Sequence, residues 1–442
     1  MSGSSTEALA PLRHSDFRWL LLGRLTSALG GAVAPVALAF AVLDLTGSVS
    51  DLGLVVGARS AANVLLLLAG GVLADRLPRA LLLWASSAAA AVTQAAVAVA
   101  LLTDRASIGL LVVLSVINGA VSALALPASS ALTPQTVPEP LLRQANALLR
   151  LGMNTSIIGG AALGGILVAA VGPGWGIAVD AVTFAVAAAA FASIRVARRP
   201  QAAGARSRPL ADLREGWGEF RSRTWVWVVV LQFMVVNAAL VGAVAVLGPA
   251  IADETFGRRL WGLLLAAETV GFVVGGLITL RWQPRHALRW SVLGIAVTAV
   301  PLLALAHQPQ ALVVGAAMFV SGIAIEQFAV AWDVSLQQQI PPDRLARVYS
   351  YDMVGSFVAI PVGQTLIGPL ALAIGRTRTL ELAAGAVVLA TLAALASSGV
   401  RTLTSVRSAA PQPVQPDHRE HEGNEQVAAS VQRPDGRVGE VG

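Results

Sequence analysis

The sequence predicts an all-α polytopic membrane protein, with about twelve transmembrane helices in two pseudo-symmetric six-helix bundles. Three observations predict it. First, 55% of the residues are hydrophobic, only 13% are charged and mean hydropathy is +0.70, whereas a soluble domain carries about 25% charge. Second, apolar runs long enough to span hydrocarbon recur from one end of the chain to the other, with short arginine-bearing connections between them. Third, the second half repeats features of the first.

A span needs roughly 20 apolar residues. The first run, 17–43, follows a polar segment, 1–16, and is too long for a signal-peptide core, so no cleavable signal is expected. The second, 51–74, stops at Asp75 and Arg76, and the third, 80–103, starts after Arg79 and ends before Arg105. The fourth, 107–133, and the fifth, 143–171, flank a connection carrying Arg143, and the sixth, 174–195, runs into an arginine cluster. Residues 196–223, rich in Arg and Pro, read as a cytoplasmic linker between bundles 17–195 and 224–400. The seventh and eighth runs, 224–252 and 260–281, are separated by Arg258 and Arg259. The ninth and tenth, 287–306 and 310–336, lie between Arg285 and Arg344. The eleventh and twelfth, 346–374 and 379–400, flank Arg376 and Arg378. The remainder, 401–442, is polar with Pro, Gln, Glu and Gly and is expected to be a disordered cytoplasmic tail.

Arginine placement tests the topology. With both termini cytoplasmic, the inside loops hold Arg76, Arg79, Arg143, the cluster Arg195 to Arg223, Arg281, Arg285, Arg289, Arg344 and Arg347. The outside loops hold Arg105, Arg258, Arg259, Arg376 and Arg378. Basic residues concentrate on the cytoplasmic side of membrane proteins, which supports this orientation in a bacterial inner (plasma) membrane. The net charge of +6 therefore reflects topology and does not point to nucleic acid.

Composition also excludes chemistry. There is no cysteine, so there are no disulfides, thiol nucleophiles or thiolate metal sites. All the basic residues are arginine, so there is no phosphate-loop lysine, Schiff base or lysine general base. ATP-driven transport by this chain alone is thereby disfavoured, and uphill transport must draw on an ion gradient or a partner. Five histidines lie outside any metal spacing, which leaves an enzyme few catalytic groups. No cofactor or metal is expected.

The internal repeat is clearest around the fifth and eleventh runs. Pro138-Glu139-Pro140-Leu141-Leu142-Arg143 aligns with Pro341-Pro342-Asp343-Arg344-Leu345-Ala346. Gly152, Gly160, Gly165 and Gly172 align with Gly355, Gly363, Gly368 and Gly375 at one offset. Ala28-Leu29-Gly30-Gly31-Ala32-Val33-Ala34 recurs as Ala239-Leu240-Val241-Gly242-Ala243-Val244-Ala245. Two parallel halves around a central pathway is an architecture of secondary transporters.

The connection after the second run reads Gly71-Val72-Leu73-Ala74-Asp75-Arg76-Leu77-Pro78-Arg79. It resembles the G-x-x-x-D-R-x-G-R-R loop of the major facilitator superfamily through Gly71, Asp75, Arg76 and Arg79, with Pro78 and Ala80 as departures. The resemblance covers about residues 15 to 400. Ala178-Val179-Asp180-Ala181-Val182-Thr183-Phe184, Arg347-Val348-Tyr349-Ser350-Tyr351-Asp352 and Gln337 through Pro341 are similar to motifs of its multidrug branch, which includes macrolide-efflux and enterobactin-exporter-like proteins. Drug exporters also carry G-x-x-x-G-P-x-x-G-G in the fifth span. Here Ser156, Gly160, Ala161, Gly164 and Gly165 occupy it, with Ala161 in place of proline. Such small residues either seal a pathway between rocking bundles or serve ordinary helix packing. The resemblance implies a cytoplasmic gate of Gly71, Asp75, Arg76, Arg79, Arg347 and Asp352. The second half lacks this loop's aspartate, since Gly276 is followed by Leu280 and Arg281.

Ionisable residues within spans are functional candidates by default. Here they are Arg24, Arg59, Asp180, Glu268 and Glu326. Arg24 either snorkels to the cytoplasmic face or serves the pathway. Arg59 pairs with a carboxylate or meets an anionic substrate. The family motif makes Asp180 a structural cap or an interdomain contact. Glu268 and Glu326 lie deep in apolar runs, where a carboxylate can bind and release a proton near neutral pH. The alternative for either is a static pair with Arg59 or a water-filled lining. Asp333 and Asp352 sit nearer the cytoplasmic ends. Gln94, Asn118, Asn154, Gln232, Asn237 and Gln327 either line a cavity or bond between helices. Close relatives often have a carboxylate in the first span in an S-x-x-G-D pattern; here Ser27-Ala28-Leu29-Gly30 is followed by Gly31. That departure favours neutral or anionic over cationic substrates.

The sequence reading is a monomeric, proton-coupled exporter of a hydrophobic or amphipathic small molecule (drug, antibiotic or siderophore-like), not an enzyme. Its partners are the substrate, protons and the lipid bilayer. An importer, an uncoupled facilitator, and a non-transporting sensor are the alternatives. Asp75→Asn is expected to leave folding intact and to lower turnover, measured as efflux rate at matched expression. Wild-type efflux in that variant would remove Asp75 from the gate.

Overall fold

The computed structural model describes residues 9–74, 78–195, 217–282 and 284–404. Among these residues there are no strands, and twelve helices are long and apolar enough to cross a membrane. In chain order they are α1 (Ser15–Thr46), α2 (Val49–Ala74), α3 (Arg79–Leu102), α4 (Ile108–Thr136), α5 (Leu142–Val171) and α6 (Pro173–Ala192) in the first half. The second half holds α7 (Thr224–Glu254), α8 (Arg258–Arg281), α9 (Ala287–His307), α10 (Ala311–Gln339), α11 (Arg347–Ile374) and α12 (Arg376–Ala396). Helix is what such runs must form, because hydrocarbon offers a backbone N–H no other partner. Side chains such as Leu312, 84% exposed, and Leu280, 74% exposed, then face lipid rather than water. Exposed Trp19, Trp84, Trp282 and Trp290 lie at one end of the helices and Trp175 at the other, where amphipathic rings prefer the interface.

The two halves pack alike. In the first, α1 lies against α5 and α6, α2 against α4, and α3 against α4 and α6. In the second, α7 lies against α11 and α12, α8 against α10, and α9 against α10 and α12. The halves are joined by two equivalent seams, α5 on α8 and α2 on α11. All twelve helices fall in one unit, Met1–Ser405.

The glycines aligned in the repeat explain the seams and the turns. Gly172 (φ 90) and Gly375 (φ 89) join α5 to α6 and α11 to α12 at backbone angles that an L side chain rarely adopts. Gly160 and Gly164 face α1, where a Cβ would meet the Leu29 carbonyl and Val33 respectively. One residue further round, Ala161 and Gly165 face α8: a Cβ on Gly262 would lie 2.5 Å from the Ala161 carbonyl and 2.7 Å from Gly165. The other seam repeats this, with Gly363 against Ala238 of α7, Gly368 against Val49 and Ser50, and Gly53 against the Gln364 carbonyl. Ser156 is buried on the same helix. Lipid tails are as apolar as leucine, so close backbone approach is what holds such helices together.

Three spans are less regular than the apolar runs imply. α11 breaks at Val358, between helical pieces Pro342–Phe357 and Ala359–Ile374. Pro361 has no N–H to offer Phe357 four residues back. α9 contains a 3-10 turn at Ile295–Thr298, where Pro301 likewise leaves Val297 without its donor. α7 contains a π-turn, Asn237–Val241, whose first residue donates from Nδ2 to the Ser356 carbonyl at 2.8 Å.

The linker is tied down at both ends. Arg195 N–H donates to Asp16 at 3.1 Å. Residues 217–222 are helical, and Glu219 accepts from Arg223 at 2.8 Å and from Arg344 at 2.7 Å. These two guanidinium groups hold the Glu219 carboxyl below the usual carboxylate range. The anchor is therefore intact above that range and is lost only as pH falls through the lowered value.

Gly262→Ala is expected to push α5 from α8, as overpacking of this kind costs about 1–3 kcal/mol. Gly385, with nothing within 4 Å of its Cβ position, is the matched control. Thermal midpoints in lipid should fall for Gly262→Ala and hold or rise for Gly385→Ala. Equal midpoints would mean that the α5–α8 seam is not tight.

Candidate functional site

Six residues beyond its seam glycine, each half places a charged residue in the span. On α2 this is Arg59, counted from Gly53; on α8 it is Glu268, counted from Gly262. Both sit about 9 Å along the helix from the seam at 1.5 Å per residue. Each is backed by a glycine of the neighbouring helix: Gly119 of α4 packs on the Arg59 carbonyl and Gly322 of α10 on the Glu268 carbonyl. Arg59 and Glu268 are equivalent positions carrying opposite charge.

Both line a central cavity of about 480 Å³ between the halves. The rest of its wall is largely apolar, with Phe233, Leu240, Trp261 and Phe272 from the second half and Pro35, Val36 and Leu38 from α1. Ser60, Asn237 and Gln364 supply neutral polar groups. Phe233 is held in place by stacking on Phe328 at 4.1 Å.

A second cavity, about 300 Å³, lies within the first half. Arg24 and Arg59 both line it, with Asn63, Ser86, Ser87 and Ser122. Among the described residues, the side chains of Arg24, Arg59 and Glu268 make no hydrogen bond or salt bridge. Arg59 is within electrostatic reach of Asp180.

Asp180 lines neither cavity. It is fully buried on α6, accepts from Gln94 of α3 and abuts the space a Cβ on Gly30 of α1 would fill. These contacts lie within the first half and join its helices. Glu326, half-buried on α10, borders Gly275 and Gly276 of α8 and is not in the lining of either cavity. Arg150 of α5 and Asp333 lie within its electrostatic reach. Asp352 accepts from Trp332 Nε1 at 2.9 Å and from Ser356 at 3.1 Å, inside the second half. Gly71 falls within α2, Arg79 opens α3 and Arg347 lies in the first helical piece of α11, the two arginines both engaged in contacts. Asp75 and Arg76 lie outside the described residues. Of the neutral candidates, Asn237 lines the central cavity, whereas Asn118 and Gln232 bond to Thr93 and Thr391 on neighbouring helices. Asn154 and Gln327 line neither cavity. No group of three His, Asp or Glu placed to hold a metal occurs among the described residues.

At one end of the helices a clamp joins the two halves. Arg258, first residue of α8, donates to Asp44 near the end of α1 at 2.8 and 2.5 Å and to Asp253 of α7 at 2.7 and 2.9 Å. The guanidinium also lies 4.9 Å over the Phe40 ring. Asp44 and Arg258 belong to different halves, and both seams tighten toward this same end.

The Major Facilitator Superfamily profile matches residues 20–363 of this helical, two-half chain. The chain belongs to the major facilitator superfamily. Among curated members it is similar to the enterobactin exporter EntS of Salmonella typhimurium, 27% identical over 367 residues, covering 81% of this chain and 86% of that protein. Similarity to EntS of Escherichia coli O127:H6 is 24% over 361 residues, covering 81% and 85%. Among solved structures, the nucleoside transporter NupG superposes with a TM-score of 0.70 at 13% identity, covering 86% of this chain and 98% of that one. A bacterial homologue of the human lysosomal transporter Spinster gives 0.62 at 16% identity, covering 87% and 93%. At such identities the likeness is one of fold. This major facilitator protein is a multi-pass membrane transporter of small molecules, not an enzyme.

The clamp was not among the sequence candidates. Arg258 reads there as an ordinary loop arginine, and its partner Asp44 is 214 residues away. Exposure limits its contribution to stability: Asp44 is 41% exposed, and ion pairs of this kind are worth about 0–1 kcal/mol. Its loss is therefore expected to change gating rather than folding. Arg258→Gln should speed labelling of a cysteine introduced at Val244, which lines the central cavity, by an impermeant maleimide added from the clamped side. The difference from wild type should shrink at high salt. Equal labelling rates at low salt would show that the clamp does not control access.

Proposed function

We propose that this transporter exports a hydrophobic or amphipathic small molecule in exchange for protons, by alternating access of the two halves. The observation that carries this reading is the opposed pair Arg59 and Glu268 at equivalent positions on a largely apolar cavity. Its volume of about 480 Å³ suits a drug-sized molecule. Glu268, unpaired in an apolar wall, is the proton carrier: neutral when protonated, and costly to leave charged once the cavity closes over it. Arg59 offers a fixed positive charge to the substrate. The similarity to enterobactin exporters favours export over import and extends the substrate class to siderophore-like compounds.

The arginine distribution supports the reading that both termini lie in the cytoplasm of a bacterial inner membrane. The clamp and the tight ends of the seams then face outward, and the cavity of this conformation is reached from the cytoplasm. Substrate enters there. Asp75, with Arg76 and Arg79, would close that side in the opposite conformation, near the positive N-terminal end of α11 around Arg347. The Ala161 and Gly165 face of α5 provides a surface on which the halves rock. The protein is proposed to work as a monomer, since each chain contains both halves of the pathway.

Energised inverted vesicles test this. Macrolides, siderophores and lipophilic dyes are added in turn while lumenal pH is followed by dye quenching. Proton release from the lumen on addition of a compound is expected for wild type and not for Glu268→Gln. Substrate movement without proton release would leave a facilitator. Greater cellular accumulation in wild type than in cells lacking the protein would mean import.

A further inference from the structure

Arg59 is shared: it lines the central cavity on one side and the first-half cavity on the other. The first-half cavity is unlike its neighbour. Its polar lining is Arg24, Arg59, an asparagine and serines, and no carboxylate lines it among the described residues. Among the described residues, the carboxylate that answers Arg59 electrostatically is Asp180, and Asp180 is fully buried outside this cavity with Gln94 on one oxygen. Two guanidinium groups therefore share a small space whose other polar groups are hydroxyls and an amide, beside apolar Leu83, Val121, Met153, Phe184 and Phe191. Unpaired charge at such depth is costly and marks a binding position. Guanidinium groups recognise carboxylate, sulfonate and phosphate oxygens through forked N–H donors, and Ser86, Ser87 and Ser122 line the same space with hydroxyl donors.

The two volumes divide a ligand unequally. About 300 Å³ accommodates an acidic head group, and about 480 Å³ with Phe233, Leu240, Trp261 and Phe272 accommodates an apolar body. We propose that the transported molecule is an amphipathic organic acid, bound with its anionic head between Arg24 and Arg59 in the first-half cavity and its apolar body in the central cavity. This rests on the transport reading above and deepens it by naming the substrate class and a second binding compartment. Arg24 becomes a specificity determinant that acts before any proton step.

Binding to the purified full-length protein in phosphatidylcholine nanodiscs tests the proposal. The probes are anilinonaphthalenesulfonate, which is anionic, and phenylnaphthylamine, its neutral counterpart on the same ring scaffold. Fluorescence in excess of empty nanodiscs gives affinity. Wild type is expected to prefer the anionic probe by about tenfold or more, the scale of one good charged contact. Arg24→Gln is expected to abolish the preference while binding of the neutral probe stays unchanged, which also shows that the variant is folded. Ser122→Leu, which fills the cavity without altering charge, is expected to do the same. Equal wild-type affinities for the two probes, or an anionic-probe affinity unchanged in Arg24→Gln, would overturn the proposal. So would loss of the wild-type preference in phosphatidylglycerol nanodiscs, which would assign the seat to a lipid phosphate. Binding is read without a gradient, so a protein that failed the vesicle experiment as a proton-coupled exporter would still give a clear answer here.

Discussion

Two pairs of helices, α5 with α8 and α2 with α11, meet where glycine lets one backbone touch another. Most other features of this transporter take their position from that contact. Between helices in lipid there is little hydrophobic gain, so association rests on close packing, and close packing here rests on the absence of a Cβ. The seams fix the separation of the halves at one end. They also set where the next turns of α2 and α8 fall, and so where Arg59 and Glu268 reach the space between the halves. Gly53 and Gly165 have their counterparts in Gly262 and Gly368 of the other half, and one geometric solution is thus used twice.

The repeat is kept in backbone and discarded in charge. Arg59 and Glu268 share a helical position, a supporting glycine and a cavity, yet carry opposite signs. The first half adds Arg24 and withdraws its own carboxylate, Asp180, into a contact with Gln94. The result is a fixed positive wall facing a titratable negative one. An arginine holds its charge throughout the cycle, whereas a glutamate in an apolar wall can give its charge up. In the proposed cycle, the division of labour between binding and coupling follows from the choice of side chain in each half.

Much of the fold was legible because hydrocarbon leaves the backbone so few options. The fifth span, read as 143–171, is Leu142–Val171, and the glycines matched between halves do occupy equivalent turns and contacts. Irregularities were harder to read, since the break in α11 and the 3-10 turn in α9 reflect prolines acting four residues upstream. The site was legible in composition but not in facing. Glu268 and Glu326 look alike in sequence, both deep in apolar runs, and only the rotation of α8 and α10 decides that Glu268 lines the central cavity while Glu326 does not. Asp180 and Gln94 are separate candidates in sequence and a single buried contact in space. The ion cluster around Arg258 left no local trace, because its parts come from both halves.

That cluster has an asymmetry with kinetic meaning. Arg258 holds two carboxylates, and only Asp44 lies across the boundary; Asp253 travels with it on the same half. When the halves separate, the cation keeps one partner and Asp44 is released into water, where an exposed carboxylate is well hydrated. Neither charge is stranded, so the step has no steep electrostatic barrier in either direction. In the proposed cycle, a bolt of this design opens and closes without first supplying the energy of an orphaned ion.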